Sequence, residues 1–146
     1  DSIATYQTND KFDFSNLLSS GSITNSSAGT ITIASEAALS EEATSILIND
    51  SQVYVAEVTT KANVATAANV LIALSDKGLL DAIDFAANAD AVLILGGADD
   101  DTLQYIYGID NDSTEAIISS EITLLGTVTT DITEGIQGLI VDNFLF

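Results

Sequence analysis

Apolar runs and apolar alternation dominate the second half of the chain. Ala91-Val92-Leu93-Ile94-Leu95 is unbroken by any polar residue. It is too short for a helix and is bounded by Gly96-Gly97, so it predicts a buried strand. Leu103, Tyr105, Tyr107 and Ile109 then fall on every second position, with Thr102 and Gln104 on the other face. That period predicts another strand. A six-residue acidic loop, Gly96 to Asp101, should join the two as a hairpin. Ile122 to Val128 repeats the strand signature, and Val53 to Val58 predicts a further buried strand.

Helical spacing is confined to two places. Ser35 is placed to cap a helix in which Glu36 is early and Leu39, Ala43, Ile46 and Leu47 share a face. A second helix should align Val64, Ala67, Ala68 and Leu71 and stop at Lys77-Gly78. Before these elements, Phe12 and Phe14 alternate with polar residues, Ser19 to Thr30 reads as a loop, and Thr30 to Ile33 alternates again. The expectation is an α+β fold: a mostly antiparallel β-sheet with two short helices packed on it. Residues 1–30 form an N-terminal strand and Ser-rich loop with the capacity to extend as an arm. Residues 31–146 form the compact domain, ending in a hydrophobic C-terminal strand.

Charge changes this picture more than composition does. The 146 residues carry 22 acids against Lys11, Lys61 and Lys77, a formal charge of −19 with no arginine or histidine. Such a surface repels nucleic acid and anionic membranes, and no apolar run approaches the roughly 18 residues of a membrane span. It also makes the compact state repel itself unless cations neutralise it, and calcium outside cells prefers clustered carboxylates. With no cysteine, disulfides and thiolate chemistry are excluded. Lacking His, Cys and Arg, the chain has neither the commonest general base nor the best nucleophile. A non-enzymatic protein is expected. Paired carboxylates for glycoside hydrolysis remain a residual reading.

Two acidic segments are candidate metal sites. Asp110-Asn111-Asp112-Ser113-Thr114-Glu115, continuing to Glu121, places oxygens at positions 1, 3 and 5 of a calcium loop. Glu121 stands at position 12, where a bidentate carboxylate belongs. Glu115 replaces the glycine of position 6, and strands rather than helices flank the segment. A calcium-binding inter-strand loop and a solvated acidic turn both fit. The second segment is Asp99-Asp100-Asp101, whose mutual repulsion a cation would relieve, or which simply forms a polar hairpin tip. If both lie at one end of the sheet, they could share an ion.

The chain closes on Leu139-Ile140-Val141-Asp142-Asn143-Phe144-Leu145-Phe146, an apolar segment following an acidic residue. This resembles the uncleaved C-terminal signal of proteins exported by bacterial type I secretion. Asn9-Asp10-Lys11-Phe12-Asp13-Phe14-Ser15-Asn16-Leu17 is similar to the D-x-[FI]-D-[FL]-S stretch that often follows the repeats in RTX-type exoproteins. The layout from Gln52 to Phe146 resembles the C-terminal regions of large RTX adhesins and S-layer-like proteins. The glycine-aspartate nonapeptide array itself is missing from this sequence. The resemblance implies an extracellular or cell-surface protein that folds on meeting calcium, and suggests that the sequence is a C-terminal fragment of a longer chain. The expected role is structural or adhesive: a surface-layer, filament or matrix subunit, or its secretion domain. Self-assembly would use strand edges, with Ala91–Leu95 and Phe144–Phe146 the edge-capable segments. The alternative is a calcium-dependent carbohydrate- or ligand-binding module, with Tyr105 and Tyr107 as stacking platforms and cell-surface polysaccharide as partner.

Overall fold

The structure is a computed structural model that describes residues 2–6, 11–18, 21–23, 26–27, 30–31, 33–39, 45–112, 116–130 and 144–146. In chain order the elements are β1 (Ser2–Tyr6), β2 (Phe12–Asp13), β3 (Ser22–Ile23), β4 (Ser26–Ser27), β5 (Thr30–Ile31) and β6 (Ala34–Ser35). Then follow α1 (Glu36–Leu39), β7 (Ile46–Ile48), β8 (Gln52–Val58), α2 (Ala67–Leu74) and β9 (Ile83–Phe85). The long strands β10 (Ala89–Gly97), β11 (Asp100–Asn111) and β12 (Ile122–Thr130) come next, and β13 (Phe144–Leu145) ends the series.

Among the described residues the main sheet has the order β1-β12-β11-β10-β8-β3, with β6 also on β8. Its centre is antiparallel, β10 to β11 to β12, as the apolar periodicities imply. The flanks join in parallel, β8 to β10 on one side and β1 to β12 on the other. The α+β class holds, with the two short helices among its elements.

Why β8 and β10 read as continuous apolar runs is plain from their position. Both lie inside the sheet and are covered on both faces, so over Val53–Ala56 and Ala91–Leu95 neither parity of side chain meets water. Tyr54, Ala56, Leu93, Leu95 and Tyr107 face one core, shared with Val70 and Ala73 of α2 and with Ile48, Leu80 and Ile83. Val53, Val55, Val92, Ile94 and Ile106 face a second core, closed by Phe12, Phe14, Leu18, Ile23 and Phe144. Among the described residues, Phe12, Phe14, Leu18 and Ile23 of the first thirty therefore join the same sheet system. Gln104, expected on a polar face, is only 2% exposed because that face is covered too.

Several expected details shift. Ala91–Leu95 is no edge, since β10 is hydrogen-bonded along both sides. The C-terminal strand does not extend the main sheet. It pairs in parallel with β2, Phe144 to Phe12 and Leu145 to Asp13, and the Phe14 N–H donates to the Leu145 carbonyl at 2.9 Å. Phe144 stacks on Phe12 and Phe14 at 5.4 and 6.2 Å, and Phe146 continues the stack at 6.5 Å. Gly21 makes room for this tail, because a Cβ there would run into the Phe146 ring.

Of the first predicted helix the described residues show α1, whereas Ile46 and Leu47 lie in a strand paired with β9. Ala43 lies outside the described residues. Val64 ends a separate 3-10 turn, Lys61–Val64, and α2 starts afresh behind Thr66, whose hydroxyl accepts from the Asn69 N–H at 3.2 Å. The inward face of α2 is Val70 and Ala73, with Ala67, Leu71 and Leu74 partly covered and Ala68 exposed. The helix stops at Leu74, before Lys77-Gly78, and the left-handed residue of the turn is Lys77 rather than the glycine.

Candidate functional site

The carboxylates singled out by sequence fall at opposite ends of one strand pair. At one end, the expected six-residue loop is tighter: Gly97 pairs with Asp100 and only Ala98 and Asp99 form the turn. Asp99 Oδ1 accepts the Lys61 backbone N–H at 2.7 Å, and the Ala98 N–H donates to the Val58 carbonyl at 2.8 Å. Gly97 permits that approach, since a Cβ there would strike the Lys61 backbone nitrogen. Asp100 and Asp101 begin β11.

Asp110 lies ten positions further along β11, opposite Asp90 of β10. At about 3.4 Å per residue the two acidic segments are roughly 30 Å apart, too far to share an ion. Around Asp110 a different set of acids gathers. Asp50 Oδ1 accepts the Asp90 N–H at 3.0 Å, and the Ser51 N–H donates to the Asp90 carbonyl at 2.7 Å. Loss of hydration, then the neighbouring Asp110 and Asp50 charges, raise the Asp90 carboxyl above its ordinary range.

Glu121 does take up two partners, as a position-12 carboxylate should, but they are amides. Its Oε2 accepts the Ile118 N–H at 2.7 Å and its Oε1 accepts the Asp112 N–H at 3.2 Å. One side chain, 7% exposed, thereby closes the chain between Asp112 and Glu121. The backbone N–H of Ile118 is the main cause that holds Glu121 below its ordinary value. Asp112 is raised, chiefly because its carboxyl hydrogen-bonds to Glu121 and then because it faces that charge. Thr114 lies outside the described residues. Among the described residues no three acidic side chains converge as metal ligands would.

The same use of carboxylates recurs where the sequence carried no signal. Glu36 accepts the Thr59 N–H at 2.7 Å, tying α1 to the end of β8. Asp13 accepts the N–H and hydroxyl of Ser15 at 3.0 and 2.6 Å, which holds its carboxyl low. A chain with three lysines and no arginine thus pairs Asp13, Glu36, Asp50, Asp99 and Glu121 with peptide N–H groups, whose hydrogen bonds are strengthened by the charge.

Tyr107 is not a stacking platform. It is fully buried, and its hydroxyl donates to the Val64 carbonyl at 2.6 Å; burial pushes its pKa well up. Tyr105 sits beside it, ring centroids 6.5 Å apart, partly covered on the helix side.

One cleft was not foreseen. It has a volume of about 360 Å³ and lies between the end of α2, the segment 81–85 and Ile117. Its apolar wall is Leu71, Leu74, Ile83, Phe85 and Ile117, and its acids are Asp76, Asp81 and Asp84. Asn111 holds the wall in place by donating from Nδ2 to the Phe85 and Ala86 carbonyls at 3.3 and 2.9 Å.

Comparison with protein-family models, with curated proteins and with solved structures found no match. No described helix is long and apolar enough to cross a membrane.

Proposed function

We propose that this chain is a bacterial extracellular structural or adhesive protein without a catalytic role, whose folded state is conditioned by calcium and which self-assembles. The observation that carries the reading is an electrostatic mismatch. A sheet with apolar cores on both faces is held compact under a charge of −19, with three lysines to offset it. Self-repulsion of that size favours expansion where divalent cations are scarce and compaction where they are abundant. Calcium, taken up by exposed carboxylates such as those around Asp90 and Asp110, supplies the compensation. The resemblance of the tail and of Asp10–Ser15 to exported proteins supports an extracellular setting.

Assembly would not use the segments first expected, since Ala91–Leu95 is interior and Phe144 is buried. The flank available for strand addition is β1, the last strand in the described order on its side. The test is the melting temperature and particle mass of the purified chain in millimolar calcium and in chelator. A site filled to a hundredfold above its Kd adds about 2.7 kcal/mol. In a chain of this size that corresponds to roughly 5 to 11 °C. Calcium should also raise the mass above that of a monomer. Coincident melting curves would remove calcium from the reading, and a monomer in both buffers would remove self-assembly.

A further inference from the structure

We propose that the cleft between the end of α2 and β9 binds an aliphatic polyamine. This goes beyond the structural role above and does not depend on it. Six apolar side chains line the cleft, and four of them, Leu71, Leu74, Phe85 and Ile117, are only partly covered although they pack against the main core. Partly covered side chains of this kind around a volume of about 360 Å³ fall within the range of small-molecule sites. The wall is preformed. Asn111, itself in the lining, fixes Phe85 and Ala86 through their carbonyls, β7 pairs with β9 along its length, and the Ser45 hydroxyl donates to Asp84 Oδ2 at 3.1 Å.

The charge of the occupant follows from the lining. Asp76, Asp81 and Asp84 supply three carboxylates, and none of the three lysines lines the cleft. An anion would be repelled by these carboxylates and a neutral ligand would gain nothing from them, so the lining favours a cation. Its shape follows from the acids lining one cleft without forming a metal-holding group. They do not converge as a metal-binding group, and a hard ion such as calcium needs six to eight oxygens around one point. A metal would also leave Leu71, Leu74 and Phe85 in contact with water. A polyamine distributes its ammonium groups along a methylene stem, so separated carboxylates and an apolar wall are matched by one molecule. Each ammonium–carboxylate contact is charge-assisted, and the stem removes apolar surface from water.

Spermidine is the probe, titrated into the full chain at 0.15 M sodium chloride and followed by calorimetry and by amide chemical shifts. The expected result is saturation at one spermidine per chain, with shifts concentrated at Ile83, Phe85 and Ile117. Asp81→Asn combined with Asp84→Asn should weaken binding about tenfold or more. Asp13→Asn, which removes the same kind of charge from the opposite face of the sheet, should leave the affinity unchanged. 1,8-Octanediol, which keeps the stem without the charge, should not bind. Non-saturating uptake, shifts spread over all acidic segments, or an equal loss with Asp13→Asn would each overturn the proposal. Equal binding of the diol would do the same. Should the double variant fail to fold by circular dichroism, the shift map of the unaltered chain decides.

Discussion

Replacing Phe144 by alanine removes the side chain that joins the last strand to the second core. Phe144 is 6% exposed, stacks on Phe12 and Phe14, and packs with Val92, Ile94 and Ile106 in one cluster. Truncation of a buried phenylalanine costs about 3–5 kcal/mol, including the cavity left behind. Aromatic pairs add about 0.5–1.5 kcal/mol beyond buried area. The strand is two residues long at the margin of the core and can partly collapse into the gap, so the lower part of the range applies, about 3 kcal/mol. For a chain of 146 residues that is a fall in Tm of roughly 6–12 °C. Urea unfolding in a fixed calcium concentration measures it directly, with an unchanged m-value showing that the native surface has not otherwise opened. Phe144→Leu, which keeps most of the volume, should cost less than about 1.5 kcal/mol. A Phe144→Ala protein within about 0.5 kcal/mol of the parent would refute the buried tail, because surface substitutions fall in that band.

Two further outcomes follow from the clamps and the buried phenol. Glu121 is held low by backbone N–H groups, so its contribution is present above its unfolded pKa and is lost as pH falls through the lower folded value. Asp112 is raised, so it contributes below its unfolded pKa and loses that contribution as pH rises through the higher folded value. Glu121→Gln should therefore flatten the acid limb of a stability-versus-pH curve; an acid limb identical to the parent's would contradict the clamp. Tyr107→Phe strips the buried Val64 carbonyl of its donor and should cost about 1–3 kcal/mol by chemical denaturation. A loss below about 0.5 kcal/mol would mean that water or another donor replaces the hydroxyl.

How much of this was readable in the chain depended on the length of each signal. The strands Gln52–Val58, Ala89–Gly97 and Asp100–Asn111 were legible because their apolar runs or alternations persist over several residues. The inward face of α2 was not. Ala-Ala-Asn-Val-Leu-Ile-Ala-Leu is apolar almost all round, so periodicity cannot choose between Leu71 and Val70, and packing decides. Ile46-Leu47-Ile48 is too short for either period to show, and its pairing with Ile83–Phe85 is settled across the fold. At the candidate site, the two-pronged role of Glu121 was visible from spacing, but spacing cannot tell an ion from a pair of amides. The pairing of Asp50 with Asp90, forty residues apart, and the assembly of the cleft from residues 71 to 117 leave no local trace.

The stacked phenylalanines also set an order of events during synthesis. A nascent polypeptide that has emerged as far as Thr130 already holds every strand from β1 to β12, yet Val92, Ile94 and Ile106 still lack Phe144 above them. Interrupted translation products would therefore present a greasy unfinished face. Until residues 144–146 have been made, that face stays open to whatever binds exposed apolar surface.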